Sequence, residues 1–179
     1  MAWLSPVPFE LVPTADSESF ASMGANQTGL PLAPHPGAFA VRRKHHTHEG
    51  IDLYVPEGTS ITAVEDGEVV AVKPFTGPAA GPTLTHWLDT QAVFVEGASG
   101  VVVYGELVPR VAVGERIVAG ALLGHATTVL AKDKGRPRCM LHMEVHSPSS
   151  RAAPEWLVHE ERPAVLRDPT PYLLAALRS

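Results

Sequence analysis

Ile51-Asp52-Leu53-Tyr54-Val55 closes on Pro56-Glu57-Gly58, Ser60-Ile61-Thr62-Ala63-Val64 closes on Glu65-Asp66-Gly67, and Glu68-Val69-Val70-Ala71-Val72-Lys73 closes on Pro74. Short β-branched runs punctuated by turn residues predict strands of a meander, with Asp66-Gly67 as the clearest hairpin turn. Outward from this stretch the pattern continues. A Pro/Gly/Thr loop over Phe75–Thr85 leads to Ala92–Glu96, Gly97–Gly100, Val101–Tyr104, Arg116–Ala119 and Ala121–Leu123, and Met140–His146 reads as one further strand. Seventeen prolines and fifteen glycines in 179 residues penalise long helices throughout. Only Pro171–Ser179 has helix-forming composition, with Pro154–Glu161 a second place for a turn or two. The expectation is a mostly β fold, an antiparallel β-sheet barrel or sandwich with a short C-terminal helix. The Pro-, Ser-, Gly- and Ala-rich start has weak periodicity, so residues 1–36 read as an irregular N-terminal lead-in packed on a domain spanning 37–179.

Composition narrows the function classes. A chain that is 45% hydrophobic and 18% charged has the makings of a core, and no apolar run approaches the ~18 residues of a membrane span. Fourteen basic against nineteen acidic residues give a net charge of −5, which leaves nucleic-acid binding without an electrostatic footprint. Cys139 is the single cysteine, so neither a disulfide framework nor a thiolate zinc cage is available. Met1–Pro13 lacks a basic segment followed by an apolar one, and Pro6, Pro8 and Pro13 interrupt it; the expected location is cytoplasmic, with release by a phage-type lysis route as the other option. Oligomeric state is not legible.

Nine histidines are the anomaly, and two clusters carry chemistry. In His46-Thr47-His48-Glu49-Gly50-Ile51-Asp52, His48 and Asp52 are four apart, ~13 Å along a straight strand. To share an ion they need a bend, which Gly50 permits. In Met140-Leu141-His142-Met143-Glu144-Val145-His146, alternation puts Met140, His142, Glu144 and His146 on one strand face. The plain alternatives are exposed loop residues for the first cluster and a solvated strand face for the second. A third ligand at His142 would instead complete a two-histidine, one-carboxylate set with His48 and Asp52, the kind that leaves catalytic zinc a place for water. Glu144 would then orient a ligating imidazole.

His48-Glu49-Gly50-Ile51-Asp52, Pro56-Glu57-Gly58-Thr59 and Ala63-Val64-Glu65-Asp66-Gly67-Glu68-Val69 together resemble the signature of lysostaphin-like zinc metalloendopeptidases, the glycyl-glycine endopeptidases of peptidoglycan cross-bridges. Val93-Phe94-Val95-Glu96, Val103-Tyr104-Gly105-Glu106-Leu107, Gly120-Ala121-Leu122-Leu123-Gly124, Leu141-His142-Met143-Glu144-Val145 and Asp168-Pro169-Thr170-Pro171-Tyr172-Leu173 follow in the family's order, so the resemblance runs from about Gly37 to Leu173. It implies zinc as the cofactor, His48, Asp52 and His142 as its ligands, and a peptide or peptidoglycan fragment as the partner.

Two positions depart from the family's pattern. Glu106 stands where the family has a histidine in its Tyr-x-His-Leu element, and Met140 where it has the first histidine of His-x-His. Those are the histidines to which the family assigns proton handling and stabilisation of the tetrahedral intermediate. Glu106 is chemically credible as a general base, whereas Met140 neither takes nor gives a proton. The implied function is a zinc-activated peptidase with Glu106 as its base, or a catalytically inactive relative that binds peptide or protein. A third reading comes from the likeness of Val93–Gly124 to barrel carriers of the biotinyl, lipoyl or phosphohistidine type, but the hairpin-tip lysine that a biotin or lipoyl carrier needs is missing.

Around the site, His46, Tyr104, Met140, His125 and Trp87 are the candidate groove residues. His45, His46, His125 and His146 otherwise read as surface histidines, Arg42-Arg43-Lys44 as a solvated run able to bind a carboxylate, and Cys139 as an inert packed thiol. Asn26 and His35 of the lead-in are candidates to fill the open metal position.

Overall fold

Period-two alternation sorts the central strands into two faces. Val93, Val95, Val102, Tyr104, Leu141, Met143 and Val145 point to one side, each at most 1% exposed, and build the main core. Their neighbours Ala92, Phe94, Val101 and Val103 point to the other and form a smaller apolar cluster. His142, Glu144 and His146 alternate with the core residues of their strand and therefore share that second side.

The computed structural model describes residues 2–16 and 24–177. Its strands are β1 (Glu10–Thr14), β2 (Gln27–Pro31), β3 (Ile51–Tyr54), β4 (Ser60–Thr62), β5 (Gly67–Thr76), β6 (Thr90–Gly97), β7 (Gly100–Pro109), β8 (Arg116–Ile117), β9 (Leu122–Ala126), β10 (Met140–His146) and β11 (Leu166–Arg167), followed by helix α1 (Thr170–Ala176). Nine of the strands form one antiparallel sheet in which the order β11-β10-β7-β6-β5-β8 is joined by β3 on β10 and by β9 on β7 and β4. The sheet is open, so the mostly β expectation holds in its sheet form and the strands do not close a barrel. No helix among the described residues is long and apolar enough to cross a membrane.

Three local readings change. Asp66-Gly67 joins β4 to β5, but these strands pair with β9 and with β6 and β8, so it is no hairpin turn. Gly67 is there for close approach: a Cβ would sit 2.5 Å from the Glu96 carbonyl oxygen. Pro74 does not end its strand. β8 pairs only with Gly67 and Glu68, so the rest of β5 is an edge on which a missing N–H costs little. Pro154–Glu161 holds a single turn, closed by Glu160 N–H to the Leu157 carbonyl at 3.0 Å, and no helix.

The lead-in contains more order than its weak periodicity signals. β1 and β2 pair in parallel over five residues each, and Trp3, Val7, Leu11 and Leu30 belong to the main core. Further on, the Asp52 N–H donates to the Gly37 carbonyl at 2.8 Å, which lays the residue just past the lead-in beside β3.

β10 organises the rest. On one edge it pairs with β7 through His142↔Gly105 to His146↔Val101, and on the other with β3 through Met140↔Tyr54 to Met143↔Ile51. His142 is thereby directly opposite Asp52 on one side and Gly105 on the other. The approach is tight at Gly50, where a Cβ would meet the Met143 carbonyl oxygen at 2.3 Å and His142 Nε2 at 2.8 Å. Gly50 serves this contact; its φ is not positive. Gly50→Ala is expected to destabilise the protein by ~1–3 kcal/mol, the usual cost of overpacking, read as a lower urea midpoint at unchanged slope.

Candidate metal centre

Two strand positions and one loop position supply the centre. Asp52 is the second residue of β3, His142 the third of β10, and His48 ends the loop that leads into β3. The antiparallel register sets the first two face to face, and the bend before β3 folds His48 back over them. Asp52 Oδ1 lies 2.8 Å from His142 Nδ1 and 3.2 Å from His48 Nε2, and the two ring nitrogens are 3.3 Å apart. Among the described residues these three form the group of candidate ligands whose atoms all fall within 4.8 Å of one another. All three are buried, at 1%, 4% and 7% exposure for His48, Asp52 and His142, so neither the exposed-loop nor the solvated-face alternative holds.

The donor set fits a tetrahedral divalent cation. Bonds of ~2.0–2.1 Å put tetrahedral ligand atoms ~3.3 Å apart, close to the observed spacings. Each ring is also held in the required tautomer. His48 Nδ1–H donates to the Ala38 carbonyl at 2.9 Å, leaving the Nε2 lone pair for the site. His142 Nε2–H donates to Glu144 Oε1 at 2.9 Å, leaving Nδ1. Arg43 Nη2 donates to Asp52 Oδ2 at 2.8 Å and to the Pro36 carbonyl at 2.9 Å, so that Asp52 turns only Oδ1 to the histidines.

In the metal-free chain the same geometry is held by charge, with His142 protonated at Nδ1 as well and donating to Asp52. Burial works against the Asp52 carboxylate, but His48, Arg43 and the His142 hydrogen bond outweigh it and hold the carboxyl well below its ordinary range. Burial works against His142 charge too, and is overridden by hydrogen bonds to Asp52 and Glu144, which raise that ring well above the usual histidine value. Glu144 is desolvated, yet its bonds from His142 and His146 bring it down to about 2.

Glu106 is positioned by a bulge. Between Val93↔Tyr104 and Gln91↔Leu107 strand β7 carries one residue more than β6, and Glu106 takes φ 68° where β7 passes from β10 to β9. Its carboxyl is buried beside Asp52, His142 and Arg43, and Oε2 has no hydrogen-bond partner. Burial first, and Asp52 second, push it up to about 8.

The other candidates divide. Met140 is buried at the start of β10, opposite Tyr54 and on the His142 face. His46 is half-buried at the approach to the site, bridged to Leu157, with its pKa lowered by burial despite Glu49. Tyr104 is not a groove residue. Alternation turns it into the main core, where its hydroxyl accepts the Val64 N–H at 2.9 Å. His125 pairs with Ser60 and Val108 on β9. Trp87 lies in the β5–β6 loop, its ring on His86 and its backbone bridged to Leu130, the geometry of a loop anchor.

Of the remaining expectations, His45 is exposed as read, while His146 is no surface histidine, being fully buried. Arg43 is committed to Asp52 and is not part of a solvated run. Asn26 is exposed at the entry to β2, and His35, although buried, binds the Gly37 N–H through Nδ1 and is outside the ligand group, so the structure brings neither to the metal position. Cys139 is buried, its thiol pushed up to about 12 mainly by burial.

Phe75 and Ala38 were not singled out by the sequence. Phe75 packs 5.4 Å from the His142 ring, in space left by Gly105, whose Cβ would lie 2.5 Å from that phenyl group. Ala38 acts through its carbonyl, which no residue pattern reveals.

The profile of peptidase family M23 matches residues 46–154, which contain all three convergent side chains. The chain belongs to peptidase family M23. No curated protein matches it. Among solved structures, it is similar to a zinc containing peptidase from Vibrio cholerae (18% identity, TM-score 0.52, 95% of this chain and 40% of that one). It is also similar to lysostaphin in solution (18%, 0.51, 90% and 56%) and to a chain of the SpoIIQ-SpoIIIAH pore forming complex (18%, 0.53, 96% and 90%). At these identities the likeness establishes the fold. The M23 chain thus spans well under two thirds of the length of the first two.

The raised Glu106 carboxyl has a consequence for the metal-free M23 chain. Its proton is retained in the folded state up to about pH 8 but lost from the unfolded chain near the ordinary value of 4.5, so the contribution of Glu106 to stability is full below 4.5 and falls as pH rises to 8. Glu106→Gln removes this penalty: the metal-free variant should match the parent near pH 4.5 and exceed it above pH 8, by thermal unfolding across that range.

Proposed function

We propose that this M23 chain binds one zinc ion through His48 Nε2, Asp52 Oδ1 and His142 Nδ1 and hydrolyses short peptides of the peptidoglycan cross-bridge type. The observation that carries the reading is the convergence of three buried donor atoms 2.8–3.3 Å apart, each ring set in a ligating tautomer. Such an ion supplies polarisation of the scissile carbonyl and acidification of water.

The chain's own groups do the rest. Glu106 takes the proton of the attacking water and returns it to the leaving amine; its partnerless Oε2 is the free acceptor the step requires. In the metal-free chain burial, together with Asp52, keeps this carboxyl protonated at neutral pH despite His142 and Arg43; a divalent cation held by the neighbouring ligands would favour the carboxylate that the step needs. Arg43 keeps Asp52 ionised and oriented, while Ala38 and Glu144 hold the two imidazoles. An open cleft of about 420 Å³ between Tyr54–Glu57 and Thr128, Pro137, Arg138 and Cys139 adjoins the β3–β10 edge and gives an extended peptide a place to lie.

A second reading rests on Met140, a buried thioether that can stabilise no developing oxyanion where the resemblance expects a histidine. On that reading the chain keeps the metal and the cleft and acts as a peptide- or protein-binding relative.

Metal analysis and a cleavage assay on one preparation separate the two. About one zinc per chain, lost in His142→Ala, is expected; equal zinc in both proteins would remove the ligand assignment. Cleavage of pentaglycine or cross-linked wall peptides should fall ~10²–10⁴-fold in Glu106→Gln, the usual cost of losing a proton-transfer group. Undiminished cleavage removes Glu106 from the mechanism, and a zinc-loaded parent that cleaves nothing selects the binding module.

A further inference from the structure

His146 has no part in the reaction just described, yet it is among the most deeply buried polar residues of the chain, at 0% exposure. A histidine so placed needs partners for both ring nitrogens. It has them: Nε2 is 2.5 Å from Glu144 Oε2, and Nδ1 is 3.4 Å from Ser150 Oγ. Glu144 Oε1 is in turn bonded to His142 Nε2 at 2.9 Å. A continuous buried chain therefore runs Ser150–His146–Glu144–His142 and ends at the ring whose other nitrogen faces Asp52 and His48.

We propose that His146 is a positioning residue for the metal centre, acting on His142 by clamping Glu144 from its far side; the inference rests on the zinc reading above. Direction follows from hydrogen counting. The ionised Glu144 carboxylate can only accept, so His146 carries a proton on Nε2 and gives it to Oε2, and Nδ1 of the neutral ring accepts from the Ser150 hydroxyl. With Oε2 taken, Glu144 has only Oε1 to offer His142, and that bond fixes both the tautomer and the tilt of the ligating ring. Were His146 unable to donate, Oε2 would be a buried acceptor without a partner. The carboxylate would then turn to share its oxygens, and the His142 ring would lose its fixed direction.

The surroundings make the clamp rigid. His146 is paired through its backbone with Val101 of β7 and Leu166 of β11, and Gly100, at φ 114°, lets its own backbone approach so closely that a Cβ there would lie 2.2 Å from the His146 carbonyl oxygen. The Phe94 ring meets the imidazole edge-on at 6.3 Å, and Lys73 Nζ covers that phenyl ring at 4.5 Å. The ring thus has an apolar wall, a fixed backbone and two polar partners.

Zinc affinity, measured by competition with a chromophoric chelator, tests this against a merely structural histidine. His146→Leu should bind zinc ~10–100-fold more weakly, the usual effect of removing such an outer partner. His146→Gln, whose amide N–H can still reach Glu144 Oε2, should stay close to the parent. The melting temperature of each metal-free protein is the control, because a structural role would lower it in both variants and leave the affinity of the folded protein unchanged. Parent-like affinity in folded His146→Leu, or equal loss in Leu and Gln variants, overturns the proposal. If His146→Leu does not fold, Ser150→Ala decides: weaker zinc binding at unchanged metal-free melting supports the clamp, and parent-like binding overturns it. A parent that takes up no zinc overturns the zinc reading itself and this inference with it, whereas zinc-loaded parent and leucine variant of equal affinity overturn this inference alone.

Discussion

Asp52 is a carboxylate taken almost wholly out of water, and the architecture around the site follows from keeping it there. Removing a single charge from solvent costs several kcal/mol unless it is paired and hydrogen-bonded. Here Oδ2 is held by Arg43 and Oδ1 is shared by the His48 and His142 rings, so every direction the charge faces is answered by a cation or a donor. In the metal-free chain the His142 ring, raised well above the usual histidine value, donates to Oδ1. A divalent cation would take the same place, and the same three atoms would turn lone pairs to it.

This arrangement depends on β10 having a strand on each edge. Pairing with β3 brings Asp52 across from His142, and pairing with β7 brings Gly105, with Glu106 just beyond, to the other side. Two glycines make the spacing possible by close approach, not by unusual dihedrals: Gly50 against the His142 ring and Gly105 against Phe75. The bulge at Glu106 is the third device. It re-aims a side chain that regular alternation would have left in register with the barrier of core residues, while Tyr104 and Leu107 on either side remain in the core.

Outside the ligands, each polar group is supported by another. Ala38 holds His48, Glu144 holds His142, and His146 with Ser150 holds Glu144. Among the described residues the exception is Glu106 Oε2, buried without a partner. Where the resemblance expects two histidines, Glu106 is able to move a proton and Met140 is not, which is the chemical basis of the two functional readings.

Much was legible in the sequence because strand alternation and turn chemistry are local. The strands from Ile51 to His146 and the shared face of His142, Glu144 and His146 follow from spacing two residues apart, and the short terminal helix from helix-forming composition. The resemblance of ordered motifs named the family and the three side chains that converge. What spacing could not supply was partnership and depth. Asp66-Gly67 has hairpin chemistry, yet strands pair by long-range burial, and β4 and β5 pair elsewhere. Tyr104 and Glu106 are neighbours in one motif, but a bulge sends one into the core and the other to the site. His146 and Arg43 look like surface charge in the sequence, and only the folded sheet shows that one is sealed behind Glu144 and the other clasped to Asp52. Residue type and period fix which side of a strand a group takes; whether that side meets water, a neighbouring strand or a buried charge depends on segments about ninety residues apart, such as Asp52 and His142, and is settled only when they pack.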